Sequence, residues 1–400
     1  MTDRSEDNRK LAELLVGFGA DVRPGEIVGV TALVSMAPVV REVARSSYRR
    51  GARWVDVLWW DPWVKRTRIE DAEAATLDYV PPWLGQRMRW LGAEHAARVS
   101  FVGPDAAAAD GLDPGRAGRD VLPFIAELPQ VVNDRTTSWT ASPYPNESWA
   151  QQVYPDLSRE AALDRLWDEL RHVCRLDEPD PVASWRERFA VLKDVATRLT
   201  QRRFDAVHFT GPGTDLRVGL FPSAEWLAAE FTTVDGKAHY PNLPSEEIFT
   251  TPDPTRVDGH VAATRPLEYF GSHMDGIRVR FEGGRAVEID ADEGAEALRA
   301  IAAKDDGAAR LGEVALVDGQ GRIGPLGTVF HETLLDENAA SHIALGNAYS
   351  FPLTDDADRA KANVSAIHCD FMIGSSEVDV DGVTRDGERV PLLRGGDWQI

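Results

Sequence analysis

Cysteine is almost missing from this chain of 400 residues. Cys174 and Cys369 are its only two. They are too few for a disulfide framework, and reduced thiols in a cytoplasm are the expectation. Long apolar runs are missing too: none approaches the ~18 residues of a membrane-spanning helix, so no membrane partner is expected. Met1–Lys10 is charged and lacks the apolar core of a secretory signal. Positive charge is in short supply, with 44 Lys and Arg against 65 Asp and Glu and a formal net charge of -21. Nucleic acids and anionic membranes are held through basic surfaces, which excludes both as expected partners. The same excess attracts cations or the ammonium groups of substrates, although an acidic surface needs no function to explain it. No GxGxxG follows the first strand-like segment, which argues against a dinucleotide site. No repeat of ~20–50 residues is present, which argues against a solenoid.

The length exceeds one usual core, so two domains are expected. The fold class read from the patterning is α/β: an N-terminal parallel-sheet domain over residues 1–180, then a mixed α+β domain over 181–400. In the first, Leu11, Leu14, Leu15 and Phe18 have helical spacing. Ile27 to Leu33 reads as a buried strand, Pro38 to Arg50 as a helix closed by Gly51, and Trp54 to Trp60 as the next strand. That is a βαβ unit, which implies a parallel sheet. Pro82 to Ala97 reads as helix leading into a strand at Arg98, Ala106 to Gly111 as a loop or frayed helix end, and Val131 to Tyr144 as a strand with a Pro-rich exit. Ser158 to Cys174 and Trp185 to Leu199 read as helices. Later, Phe204 to Phe209 and Asp215 to Leu220 flank Gly211-Pro212-Gly213 as paired strands. No Lys or helix start follows that turn, as a phosphate cradle requires.

What the second half holds in quantity is metal-ligand chemistry. His368-Cys369-Asp370 lies between the apolar runs Val364–Ile367 and Phe371–Ile373. Read as a strand, it sends His368 and Asp370 to one face and Cys369 to the other. A buried imidazole beside a carboxylate must be paired or bound to something; a plain His–Asp hydrogen bond is the simpler alternative. Glu313 stands near the start of the apolar run Leu311–Val317. Glu337 and His342 are five apart, a poor match to helical ligand spacing, so a loop or distorted turn must separate them if they share a site. Glu246-Glu247 precede a β-prone run, and a loop entering a strand aims one of the two inward. Solvated acids account for each of these singly. Together the carboxylates and imidazoles suit zinc, cobalt or manganese better than calcium, and they lead to the expectation of a pocket for two divalent cations. Among the remaining histidines, His331 beside Glu332 is the one placed for a supporting role.

This constellation resembles the metallo-aminopeptidase family typified by aminopeptidase T and aminopeptidase S. The likeness covers almost the whole chain and is most specific at Asn242–Pro252, Asp336–Gly346 and His368–Ser375. It implies metal ligands at Glu247, Glu313, Glu337, His342, His368 and Asp370, with Glu247 preferred to Glu246 by the family's spacing to Glu313. It implies an active-site tyrosine at Tyr349, two divalent ions (zinc, cobalt, manganese or magnesium), peptide substrates with a free N-terminus, and a homodimer. In the expected mechanism Glu313 is shared by both ions and Tyr349 gives its proton to the tetrahedral intermediate. Glu247 and His342 fall to one ion, and Glu337, His368 and Asp370 to the other. The general base is not identifiable from the sequence. A two-metal phosphoesterase and a non-catalytic metal-binding scaffold are the alternatives.

Overall fold

The apolar run Ile27–Leu33 forms a strand, and three later segments align beside it. Their spatial order is Trp54–Trp60, Ile27–Leu33, Ala97–Val102 and Ser138–Pro143, every neighbouring pair parallel. The structure, a computed structural model, describes residues 4–120, 122–123, 125–269 and 272–400. Parallel neighbours require crossovers. The helix Ala37–Arg49 supplies the first, with Pro38 in its opening turn and Val39, Val40 and Val43 buried. Gly51 follows in a left-handed conformation (φ 88) that a helix exit favours.

Three segments of this half differ from the sequence reading. Val131 is buried on a helix, Glu127–Asn133, and the strand waits until Ser138. Arg135, at φ 52, breaks the chain between them. The helix from Pro82 stops at Ala93, and His95, at φ 49, turns the chain into a strand that begins at Ala97. Ala106–Ala109 is a short helix, capped by the Asp105 carboxylate accepting from Ala108 N at 3.3 Å.

The chain divides into two compact units, Met1–Arg186 with Glu230–Pro244, and Glu187–Ala229 with Ser245–Ile400. The division falls inside the helix Pro181–Arg202. Specific contacts hold Glu230–Pro244 within the first unit. Ala141 N donates to the Pro241 carbonyl at 2.6 Å, and Leu243 N donates to the Ala141 carbonyl at 3.0 Å. Tyr240 stacks on Phe18 with centroids 4.1 Å apart, and Lys237 pairs with Glu26 at 2.7 Å.

The second unit is built on antiparallel sheets. An eight-stranded sheet includes the hairpin Ala206–Gly211/Thr214–Leu220, turned by Gly213 at φ 67. A five-stranded sheet has the order His368–Met372, His342–Gly346, Leu311–Val317, Glu247–Thr250, Leu227–Ala228. One face of it is apolar: Ile248, Val314, Leu316, Ile343, Leu345 and Phe371 expose no surface. Each such side chain contributes about 1.5–3 kcal/mol of burial. Among the described residues no helix is long and apolar enough to cross a membrane.

One buried ion triad stands in this unit. Arg188 donates to the Glu246 carboxylate and, through Nη1 and Nη2, to both Asp318 oxygens at 3.1 and 2.7 Å. Trp398 Nε1 and Gln320 N also donate to Asp318. Removing the guanidinium takes away the positive charge that the two buried carboxylates share. Arg188→Met is therefore expected to lower stability by about 3–5 kcal/mol, read as a lower denaturant midpoint for the second unit. An unchanged midpoint would show that the triad carries no net weight.

Candidate metal centre

The register of the five-stranded sheet decides which side chains meet. Glu313 lies opposite Ala344, and Ala344 lies opposite Asp370. Residues directly opposite share a face, and so do residues two apart along a strand. His342 therefore joins Ala344, and His368 joins Asp370. Ala315, two from Glu313, lies opposite Phe249, two from Glu247. Glu247, Glu313, His342, His368 and Asp370 thus all stand on the face opposite the apolar one.

Glu313 reaches this face through a bulge. Leu311 pairs with Leu345, yet Glu313 pairs with Ala344, so the register slips by one at Gly312. The slip puts Leu311 with the apolar face while Glu313 takes the other. A Cβ at 312 would lie 2.4 Å from the carbonyl oxygens of Gly346 and Asn347, which explains glycine there. An isolated glycine within a strand pattern is the signal that could have exposed this feature in the sequence.

Glu337 comes from elsewhere. It ends the short helix Thr333–Glu337, and the strand His342–Gly346 starts after a four-residue connection. The helix-to-strand break resolves the awkward five-residue spacing. Asp336 shapes the approach by accepting from Phe330 N at 2.8 Å and Glu332 N at 3.1 Å. Asn338, whose role has no local signal in the sequence, braces the far side. Its Oδ1 accepts from Glu246 N at 2.6 Å and its Nδ2 donates to the Leu334 carbonyl at 2.8 Å.

The potential ligand atoms form three overlapping groups: Glu247, Glu313 and His342; Glu313, His368 and Asp370; Glu337, His342 and Asp370. In each group the atoms lie within 4.8 Å of one another. Glu313 Oε1 is 3.9 Å from His342 Nε2, and Oε2 is 3.5 Å from His368 Nε2. His368 Nε2 is also 3.4 Å from Asp370. Each imidazole spends its other nitrogen on a backbone carbonyl. His342 Nδ1 donates to Ala340 at 3.2 Å and His368 Nδ1 to Asn347 at 2.7 Å. That pattern fixes the ring orientation and leaves Nε2 as the ligand atom. A neutral His342 then turns its Nε2 lone pair toward Glu247 Oε2, 3.0 Å away and buried. Two lone pairs so close need a proton or a cation between them, and a divalent metal ion fits this donor set.

The electrostatics agree. Burial, reinforced by Asp370 and Glu247, pushes Glu313 up to about 8. Burial and the neighbouring acids also raise Glu337 well above the carboxylate range. His342, although burial opposes it, is pushed up to about 9 by Glu247. His368, against the same opposition, is pushed up to about 10 by Asp370. Asp370 is lowered, because His368 outweighs its burial. Four carboxylates thus compete for two imidazoles, the surplus of negative charge that a cation site requires.

Tyr349 follows the His342 strand. Its ring lies 5.9 Å from that of His368, and Phe249 and Phe351 flank it at 6.0 and 5.1 Å. Burial and the carboxylate charges push its phenol far up. Glu246 is not in any of the ligand groups; it is spent on Arg188. His331 meets Glu268 and His273 instead of the six proposed ligands.

The likeness to known proteins is full-length. The family described as "Thermophilic metalloprotease (M29)" matches residues 4–398. Aminopeptidase T of Thermus aquaticus is 42% identical over 408 aligned residues, 99% of either chain. Aminopeptidase PepS of Streptococcus thermophilus is 36% identical over 99% of this chain and 98% of its own. The solved structure of wild-type AmpT from Thermus thermophilus matches with a TM-score of 0.92 at 40% identity, covering 100% of both chains. With its ligand-type side chains gathered on one sheet face and its family match running from residue 4 to 398, the chain belongs to the M29 metalloproteases.

Proposed function

We propose that Glu247, Glu313, Glu337, His342, His368 and Asp370 hold two divalent ions, with Glu313 shared between them. The observation that carries this reading is the division of Glu313's two oxygens, one turned to His342 and the other to His368. Glu247 completes the first group and Asp370 the second, while Glu337 comes within reach of His342 and Asp370. The chain is a metal-dependent aminopeptidase, acting on peptides, in keeping with the aminopeptidases it matches along its length. When bound, the ions lower the pKa of a water and support the charge that develops on the scissile carbonyl oxygen.

The chain's own residues supply the rest. The four carboxylates create a negative field that draws in cations. The Asn347 and Ala340 carbonyls keep His368 and His342 in one tautomer. Tyr349 stays protonated at neutral pH because burial and its acidic neighbours raise its phenol, so it is available as a proton donor to the tetrahedral intermediate. Residues 181–400 form the catalytic domain in this reading. A homodimer belongs to it too, on family likeness, and a cytoplasmic location, on the two free thiols; a monomer in sedimentation would remove the first.

The phosphoesterase alternative wants Arg or Lys beside the acids. Burial bears most on Glu313, Glu337 and Asp370, followed by other acids, histidines and, for Asp370, a backbone group, with no Arg or Lys among them. The chain is expected to cleave aminoacyl-p-nitroanilides and not p-nitrophenyl phosphate, and to lose that activity on chelation; the opposite preference would favour phosphoryl chemistry, and metal uptake with neither activity a scaffold. Glu313→Gln should reduce bound metal by two equivalents, measured by elemental analysis. A drop of one equivalent would refute sharing. Tyr349→Phe should lower kcat by about 10²–10³-fold at unchanged metal content. Loss of metal in that variant would reassign Tyr349 to a structural role.

A further inference from the structure

A second group of metal-ligand side chains shares no residue with the centre above. The strands Leu267–Tyr269 and Ser272–Met274 pair antiparallel, which sets Glu268 opposite His273. His273 Nδ1 and Glu268 Oε1 are 2.6 Å apart, a hydrogen bond any surface strand pair could make. The third member arrives from a distant segment. His331 brings Nδ1 to 3.4 Å from the same carboxylate oxygen, where it is buried and makes no hydrogen bond. One ligand atom from each residue lies within 4.8 Å of the other two. His331 is held there in a left-handed conformation, φ 55, which strains a non-glycine backbone. The rings of His273 and His331 lean together, centroids 6.0 Å apart. Although burial raises it, the two imidazoles hold the Glu268 carboxylate below its usual range.

We propose that Glu268, His273 and His331 form a separate site for one zinc-type divalent cation. Two imidazoles and a carboxylate are the donors that zinc and its borderline neighbours favour, and three protein ligands leave a fourth position to water. Ligands ~2.0–2.1 Å from a tetrahedral zinc stand about 3.3 Å from one another. The separations of 2.6 and 3.4 Å bracket that value, so side-chain rotation suffices. The side chain of His273 is 40% exposed, which gives the ion access. His331 lies just ahead of the helix Thr333–Glu337, so an ion here ties the paired strands to the segment that carries Glu337.

The test strips the full chain by chelation, titrates it with zinc, and counts bound metal after desalting. His273→Ala and His331→Asn are each expected to bind one equivalent fewer than the unaltered chain. Asparagine tolerates the left-handed backbone, so the second variant removes the ligand without breaking the turn. Glu313→Gln should retain this equivalent, which makes the result independent of the carboxylate centre. Equal zinc counts in the unaltered chain and in both histidine variants would overturn the proposal.

Discussion

The structure depends on a crowding of carboxylates that the chain by itself offsets only by holding protons. Glu247, Glu313, Glu337 and Asp370 crowd around His342 and His368 on one face of a sheet. Two like charges about 4 Å apart repel by about 4 kcal/mol at an effective dielectric of 20. Protonation relieves this in part, which is why Glu313 and Glu337 are raised and both imidazoles hold their protons tightly. Two dications against four carboxylates and two neutral imidazoles would balance the charge. That balance is in keeping with the metal dependence of the family.

The sheet can carry this burden because its other face is a closed apolar core. A ligand set on loops would relax away from its own repulsion. Here five of the six proposed ligands are fixed by ladder register, and their backbones are paired on strands whose apolar neighbours are fully buried. Glu246 shows the contrasting solution to a buried charge. It stands next to Glu247, yet it is satisfied within the protein by Arg188, with Asp318 on the guanidinium's other edge. Two adjacent acids serve two ends: one is matched by a fixed guanidinium, the other faces a centre of carboxylates and imidazoles.

Much of this was readable from local pattern. The alternation in His368-Cys369-Asp370 places both ligand-type residues on one face, and Cys369 is indeed packed with the apolar side. The βαβ run Ile27–Trp60 gives a parallel sheet because its periods and breakers are local. Other features are set by partners far along the chain. Nothing in Glu246-Glu247 says which acid joins the centre; that is decided by Arg188, 58 residues away from Glu246. The spacing of Glu337 and His342 looks unfavourable until the chain is seen to change from helix to strand between them. The return of Glu230–Pro244 to the first unit rests on contacts with Ala141, Phe18 and Glu26, none of which leaves a local trace.

The bulge at Gly312 joins these two levels. Strand alternation alone would send Leu311 and Glu313 to the same face, and one of them would be misplaced: a leucine among carboxylates, or a glutamate in an apolar core. Burying that glutamate unpaired would cost several kcal/mol. The one-residue slip lets Leu311 pair with Leu345 and Glu313 with Ala344, so each reaches the environment its chemistry demands. The slip requires the chain to pass within van der Waals range of the Gly346 and Asn347 carbonyls, which a side chain at 312 would block. Asn347 is also the residue whose carbonyl fixes His368. The backbone that makes room for Glu313 is therefore the backbone that orients its imidazole neighbour, and the two proposed ligands are positioned by one local irregularity.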